Sequence, residues 1–245
     1  MSKFAVLTSI LLASVALARP SSRMGDRLAR RREGRQSQPS QRILNTEYSE
    51  NWAGAVYAES SGTYTAVTGT FTVPTPSGEG AASAWVGIDG DTCSNAILQT
   101  GVDFTVSDGD VSYDAWYEWY PDYAYDFSGI SFSSGDVVKL TVTASSTTSG
   151  TAVIENTTTG KTVTKEITSS SALCQENAEW IVEDFEEGNS LVEFADFGTV
   201  TFTDASATTS SGTVSPSGAT AIDIEQNGKV LTSVSIGSDV TIKYV

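Results

Sequence analysis

Glu179-Trp-Ile-Val-Glu183-Asp-Phe-Glu-Glu187 sets a strand-prone apolar run beside a carboxylate every few residues and closes on an acidic cluster. Valine, isoleucine and tryptophan favour a pleated strand. Its period of two puts Glu179, Ile181 and Glu183 on one face and Trp180, Val182 and Asp184 on the other. One face therefore mixes carboxylates with apolar side chains. A glutamate in that setting is either solvated on an open face or a functional group, because burying it unpaired raises its pKa and destabilises the fold.

The same texture extends outward. Thr65 to Val73, Val137 to Ala144, Thr151 to Glu155, Thr162 to Ile167, Gly198 to Thr203 and Val240 to Val245 are short Val/Thr/Tyr/Phe runs parted by Gly, Ser, Asn and Asp. That spacing predicts an all-β sandwich or barrel. No long stretch carries helical period, and no repeat of about 20 to 50 residues is present. About 200 residues follow Asn45, enough for one domain with a sizeable core.

Upstream the chain reads differently. Lys3, the apolar run Phe4 to Val15 and Ala16-Leu17-Ala18 have the form of a secretory signal over residues 1–18, too short to span a bilayer. The expected location is extracellular. Residues 19–46 carry eight arginines among Ser, Gln and Pro, a composition that builds no core. They read as a basic propeptide lying outside the mature fold of residues 47–245. After Asn45 there are five lysines, no arginine and 28 carboxylates, a net charge of −23. Such a surface repels nucleic acid and anionic membranes, so neither is an expected partner, and mutual repulsion favours a monomer. With few cations, few ion pairs are lost on acidification, which points to a protein more stable in acid than at neutral pH.

Cys93 and Cys174 are the two cysteines, and in an exported chain they are expected to form a bridge. Asn156-Thr157-Thr158 is a glycosylation acceptor in an expected hairpin turn. Asp108, Asp110 and Asp126-Phe127-Ser128-Gly129 look like turns and are too sparse for calcium, so no metal and no cofactor is expected.

The chain has no histidine, which removes Ser-His-Asp, Cys-His and the common zinc sites. Carboxylate, amide, hydroxyl and aromatic groups remain. Polar residues set in apolar strand context are Asp89, Gln99, Asp103, Asp114, Glu118, Glu179 and Glu183. Strand parity puts Asp89 with Trp85, Asp103 with Gln99, and Asp114 with Trp116 and Glu118, so these groups can line one concave sheet surface.

Asn51-Trp-Ala-Gly-Ala55, Ser83-Ala-Trp-Val-Gly-Ile-Asp-Gly90, Ala96-Ile-Leu-Gln-Thr-Gly101, Trp116-Tyr-Glu-Trp-Tyr-Pro121 and Asn177-Ala-Glu-Trp-Ile-Val-Glu-Asp-Phe185 resemble, in order and spacing, the motif set of the eqolisins, the glutamic peptidases secreted by fungi. The resemblance implies a sandwich of two curved antiparallel sheets, like concanavalin-type lectins, with a cleft on the concave face. It implies protein and peptide substrates, a precursor with a basic propeptide, and a Cys93–Cys174 disulfide. It assigns Gln99 and Glu183 as the catalytic pair, with Trp85, Asp89, Asp103, Trp116 and Glu118 in support. Glu183 would be ionised with a near-normal pKa, and neighbouring acids would orient the pair through hydrogen bonds. Two other readings use the same face: a carbohydrate-binding sandwich, which needs no Gln99, and a glycosidase pairing Glu179, Glu183 or Glu118.

Overall fold

Alternation of apolar and polar residues along the strands is answered by two stacked antiparallel sheets. The computed structural model describes residues 34–43 and 47–245. The strands of five residues or more are β1 (Trp52–Ala58), β2 (Tyr64–Thr72), β3 (Gly80–Ile88), β4 (Ile97–Ser107), β5 (Asp110–Tyr120), β6 (Val137–Ser146), β7 (Ser149–Asn156), β8 (Lys161–Thr168), β9 (Asn177–Glu183), β10 (Thr199–Thr209), β11 (Thr220–Gln226), β12 (Thr232–Ile236) and β13 (Val240–Tyr244). One sheet runs β11-β1-β9-β3-β4-β5 and the other β8-β7-β6-β2-β10-β13-β12, with short strands at their edges. Among the described residues the only helical element is a 3₁₀ turn at Pro216–Gly218.

Strand β9 shows why the layers form. Ala178, Trp180 and Val182 point between the sheets, into a core shared with Val67, Phe71, Leu98, Phe104, Leu140 and Phe202. Ile181 points the other way, into a smaller cluster with Trp52, Val56, Trp85, Ile97, Trp116 and Ile222. All seven residues of β9 are buried. A strand covered on both faces must satisfy its carboxylates locally, and this is where the chemistry collects.

The anticipated runs at 137–144, 151–155 and 162–167 fall within observed strands, those at 65–73, 198–203 and 240–245 overrun theirs by one residue, and β10 continues to Thr209, six residues past the anticipated end. Three placements add to or differ from the sequence reading. Residues 34–43, read above as part of a propeptide outside the mature fold, pack against the domain in the full chain, with Arg35 and Ser37 buried. Asp126, read as the start of a turn, belongs to a short strand, Tyr125–Asp126, paired to Trp116 and Tyr117. Asn156 is fully buried, and its side-chain nitrogen donates to the Ser131 carbonyl at 3.1 Å and to Asp136 at 3.0 Å, so the acceptor nitrogen is not presented for a glycan in the folded chain. Parity and turn signals report a residue's direction, not its depth. The signal-like residues 1–18 and the remaining arginines before Gly34 lie outside the described residues.

Cys93 and Cys174 are bonded across a sequence separation of 81 residues, tying the loop after β3 to the entry of β9. Loop closure of that length stabilises a chain by about 4–5 kcal/mol in the entropy model. Cys93→Ser is therefore expected to lower the urea midpoint by a shift equivalent to about 4 kcal/mol; an unchanged midpoint would show that the bridge contributes nothing to the fold.

Candidate active site

Register places the polar groups in rows across the outer face of the first sheet, the one turned away from the second. Glu183 of β9 lies opposite Ser83 of β3, Ser83 opposite Asp103 of β4, and Asp103 opposite Asp114 of β5. Two residues along each strand the row is Ile181, Trp85, Gly101 and Trp116; two further it is Glu179, Gly87, Gln99 and Glu118. Acids and amide thus flank a band of indoles. The glycines are what let the indoles lie flat. A Cβ on Gly87 would stand 2.7 Å from the Trp85 ring, and one on Gly101 would stand 2.6 Å from Trp85 Cβ and 2.9 Å from the Trp116 ring.

Glu183 is fully buried, and Trp85 Nε1 donates to its Oε2 at 2.9 Å. Gln99 and Glu179 are also fully buried; both amide atoms of Gln99 and both carboxyl oxygens of Glu179 make no hydrogen bond to the protein. Residues 34–43 lie across this face. Arg35 and Gln36 pair antiparallel with Glu187 and Glu186, while the Arg35 carbonyl accepts from Ala124 N–H at 3.1 Å. The Arg35 guanidinium grips both oxygens of Asp103, at 2.7 and 2.8 Å, and lies 3.6 Å from Glu118. The Trp116 and Phe185 ring centroids are 4.1 and 4.3 Å from its central carbon. Further along, Ser37 N–H donates to Glu118 Oε2 at 3.2 Å and Gln38 N–H donates to Glu183 Oε1 at 3.1 Å. A cavity of about 410 Å³ continues past Arg35, lined in part by Asp103, Asp114, Phe185 and Glu187.

Burial dominates the electrostatics. It pushes the Glu183 carboxyl up to about 7, against the opposing pull of Arg35 and of the Gln38 and Trp85 N–H donors. It also raises Glu118 and Glu179 well above the ordinary carboxylate range, Arg35 partly opposing this at Glu118. With the segment in place Glu183 is therefore protonated below neutrality, unlike the near-normal carboxylate expected from sequence. Asp184, on the opposite side of the strand, is likewise pushed up to about 7 by burial, with Gln226 pulling it down.

A family model described as the Peptidase A4 family matches residues 50–244. The chain belongs to this family. It is 52% identical to Aspergillopepsin-2 of Aspergillus niger and 43% identical to Scytalidopepsin B of Scytalidium lignicola, each match covering 98% of both chains. A crystal structure of scytalido-glutamic peptidase with a transition state analog inhibitor superposes with a TM-score of 0.75 at 47% identity, covering 80% of this chain and 98% of that one. The crystal structure of aspergilloglutamic peptidase from Aspergillus niger gives a TM-score of 0.66 at 63% identity over 67% of this chain and 99% of that one. The eqolisin resemblance thus stands, and with it the glutamic-peptidase class of hydrolase.

Within this A4 peptidase, Trp85, Asp103, Trp116, Glu118 and Glu183 converge on the covered face, and Gln99 and Asp114 fall in its rows. Asp89 is placed elsewhere. Its carboxylate accepts from the backbone N–H groups of Gln175 and Glu176, both at 2.8 Å, and of Asn177 at 3.2 Å. It fastens the loop leading into β9 beside the disulfide instead of bonding to Glu183 or Gln99. Burial raises its pKa, opposed by those N–H donors. Sequence reasoning missed Arg35, Phe185 and Ser83, whose hydroxyl accepts from both Arg35 and Trp116 Nε1. The surplus of arginine before an acidic domain pointed to Arg35 in kind, but not to the residue or the depth of its insertion.

Protons on Glu118, Glu179, Glu183 and Asp184 are held by the fold and given up by the unfolded chain at ordinary carboxylate pKa values. Their stabilising contribution is complete below about pH 4 and is lost as pH rises, for Glu183 and Asp184 through about 7. The thermal midpoint is expected to fall between pH 4.5 and 7, and Glu179→Gln to flatten that fall. A midpoint that climbs steadily over the same range would contradict the assignment.

Proposed function

We propose that the chain is a secreted endopeptidase that acts in acid and cuts peptide bonds in proteins, with Glu183 as general base and acid and Gln99 as its partner. The observation that carries this reading is the Gln38 N–H on Glu183 Oε1 at 3.1 Å, because it puts a main-chain nitrogen in reach of the group that must protonate a leaving amine. In the reaction an ionised Glu183 takes a proton from water as the water oxygen bonds to the peptide carbonyl carbon. The Gln99 NH₂ donates to the oxygen that becomes negative, and its amide oxygen holds the water. Glu183 then passes the proton to the nitrogen, the C–N bond breaks, and a carboxyl and an amine are released. Trp85 orients Glu183 through its N–H. Asp103, Glu118 and Trp116 form the wall that receives the substrate chain.

Residues 34–43 act, in this reading, as the end of an N-terminal propeptide that keeps the precursor silent. They cover the face and occupy Glu183 and Glu118 through main-chain N–H groups, while burial beneath the cover holds the pKa of the base up against the pull of Arg35 and Gln38. Removal of the segment restores solvent to Glu183, lowers its pKa and frees it to ionise in acid. The acidic surface, short of cations, suits an extracellular monomer at low pH.

The test is hydrolysis of a denatured protein at pH 2 to 4 by the acid-activated chain, in the presence of an aspartic-peptidase inhibitor. Wild type is expected to cut, Glu183→Gln to lose about 10²- to 10⁴-fold, and Gln99→Ala to lose about 10²- to 10³-fold, both remaining folded. Retained cutting by either variant would remove that residue from the mechanism.

A further inference from the structure

The N-terminal segment is held at two ends, and the second end lies away from the chemistry. From Gln38 to Ile43 the main chain rides on rails that any sequence could use. Ser40 N–H donates to the Gly90 carbonyl at 2.9 Å, Gln41 N–H to Asn51 Oδ1 at 2.9 Å, and Glu50 N–H to the Gln41 carbonyl at 3.1 Å. Asn51 Nδ2 reaches the Gln38 and Pro39 carbonyls, each at 3.3 Å. Arg42 is different, because its side chain is read directly. Its Nε donates to Asp91 Oδ1 at 2.6 Å and its Nη2 to Oδ2 at 2.9 Å, a two-pronged match. With the pair formed the Asp91 side chain is 2% exposed while that of Arg42 is 31% exposed, so the arginine covers the acid.

We propose that Asp91 is a guanidinium-binding site outside the catalytic set, whose ligand is Arg42 of the chain's own N-terminal segment, and that this pair sets how long the cleft stays covered. The idea rests on the reading of residues 34–43 as a cover. Arg35 draws its hold from Asp103 and Glu118, groups that also belong to the substrate wall, so weakening that contact alters the cleft itself. Asp91 bonds to neither Glu183 nor Gln99 and contributes hold alone. Planarity makes the site selective: two parallel N–H bonds to one carboxylate fit a guanidinium, whereas a lysine ammonium keeps the charge and loses the fork.

The experiment uses the full chain. Trypsin added at neutral pH reads the opening of the segment by cleavage after Arg35 and Arg42, independently of the enzyme's own activity. Asp91→Asn is expected to raise the cleavage rate after Arg35 by about 10- to 100-fold, the range for losing a hydrogen-bonded charge partner. Arg42→Ala is expected to do the same, Arg42→Lys to fall between, and the Asp91→Asn/Arg42→Ala double variant to add nothing to either. After acid activation and loss of the segment, Asp91→Asn should match wild type in kcat and KM on a denatured protein. Arg42 lies on the covering segment, so its variants leave the domain's own residues unchanged and serve as the control for folding. Unchanged tryptic rates in Asp91→Asn and Arg42→Ala, or additive effects in the double variant, would overturn the proposal. Raised tryptic rates in a chain that never hydrolyses protein would uphold the latch and remove the reading of the covered face as the catalytic site.

Discussion

The structure turns on one physical conflict: a strand buried on both faces carries carboxylates on a face where water is excluded. Trp180 and its neighbours anchor β9 in the core, so Glu179 and Glu183 cannot swing away without moving the centre of the sandwich. A carboxylate in such a place either finds a cation, gathers N–H donors or keeps its proton. All three solutions occur on β9, just past the end of β3 and on β4, successive strands of one sheet. Asp103 takes Arg35, Asp89 takes three backbone N–H groups, and Glu179, which makes no hydrogen bond to the protein, has its pKa raised by burial and so holds its proton to higher pH.

Much of this was legible in the sequence because a sheet converts sequence spacing into faces directly. The parity of Glu179, Ile181 and Glu183, and of Asp114, Trp116 and Glu118, survives intact in the rows across β9, β3, β4 and β5. Absence of histidine left carboxylate chemistry before any strand was placed, and the five motifs fixed the family. Other facts depend on which strands are neighbours. Gly87 and Gly101 earn their places only because indoles from adjacent positions cross over them, and no local pattern announces that crossing. Asp89 shares parity with Trp85, yet it stands just past the end of β3 with a φ of 70°, where the chain turns and its carboxylate meets the loop before β9. Parity ends with the strand.

Arg35 shows the other limit. Its sequence context of arginines, serines and prolines has no core-forming pattern, and local composition gave no reason to build it into the fold. What places it is complementarity with Asp103, 68 residues away, and with the rings of Trp116 and Phe185. A segment that cannot form a core can still be ordered by one that lacks a cation. The low dielectric that makes Glu118 costly to ionise also strengthens the pull of the arginine beside it.

Arg42 and Ser49 bridge as antiparallel partners, with three residues separating Ile43 from Glu47. So short a tether keeps the covering strand beside its groove at an effective concentration on the order of millimolar or more, whatever the total amount of protein. Breaking the chain between Ile43 and Glu47 would leave the contacts of residues 34–43 described above in place at the moment of scission. Occupancy of the groove would then follow dilution, and a cleaved chain in a large volume would lose its cover by mass action alone.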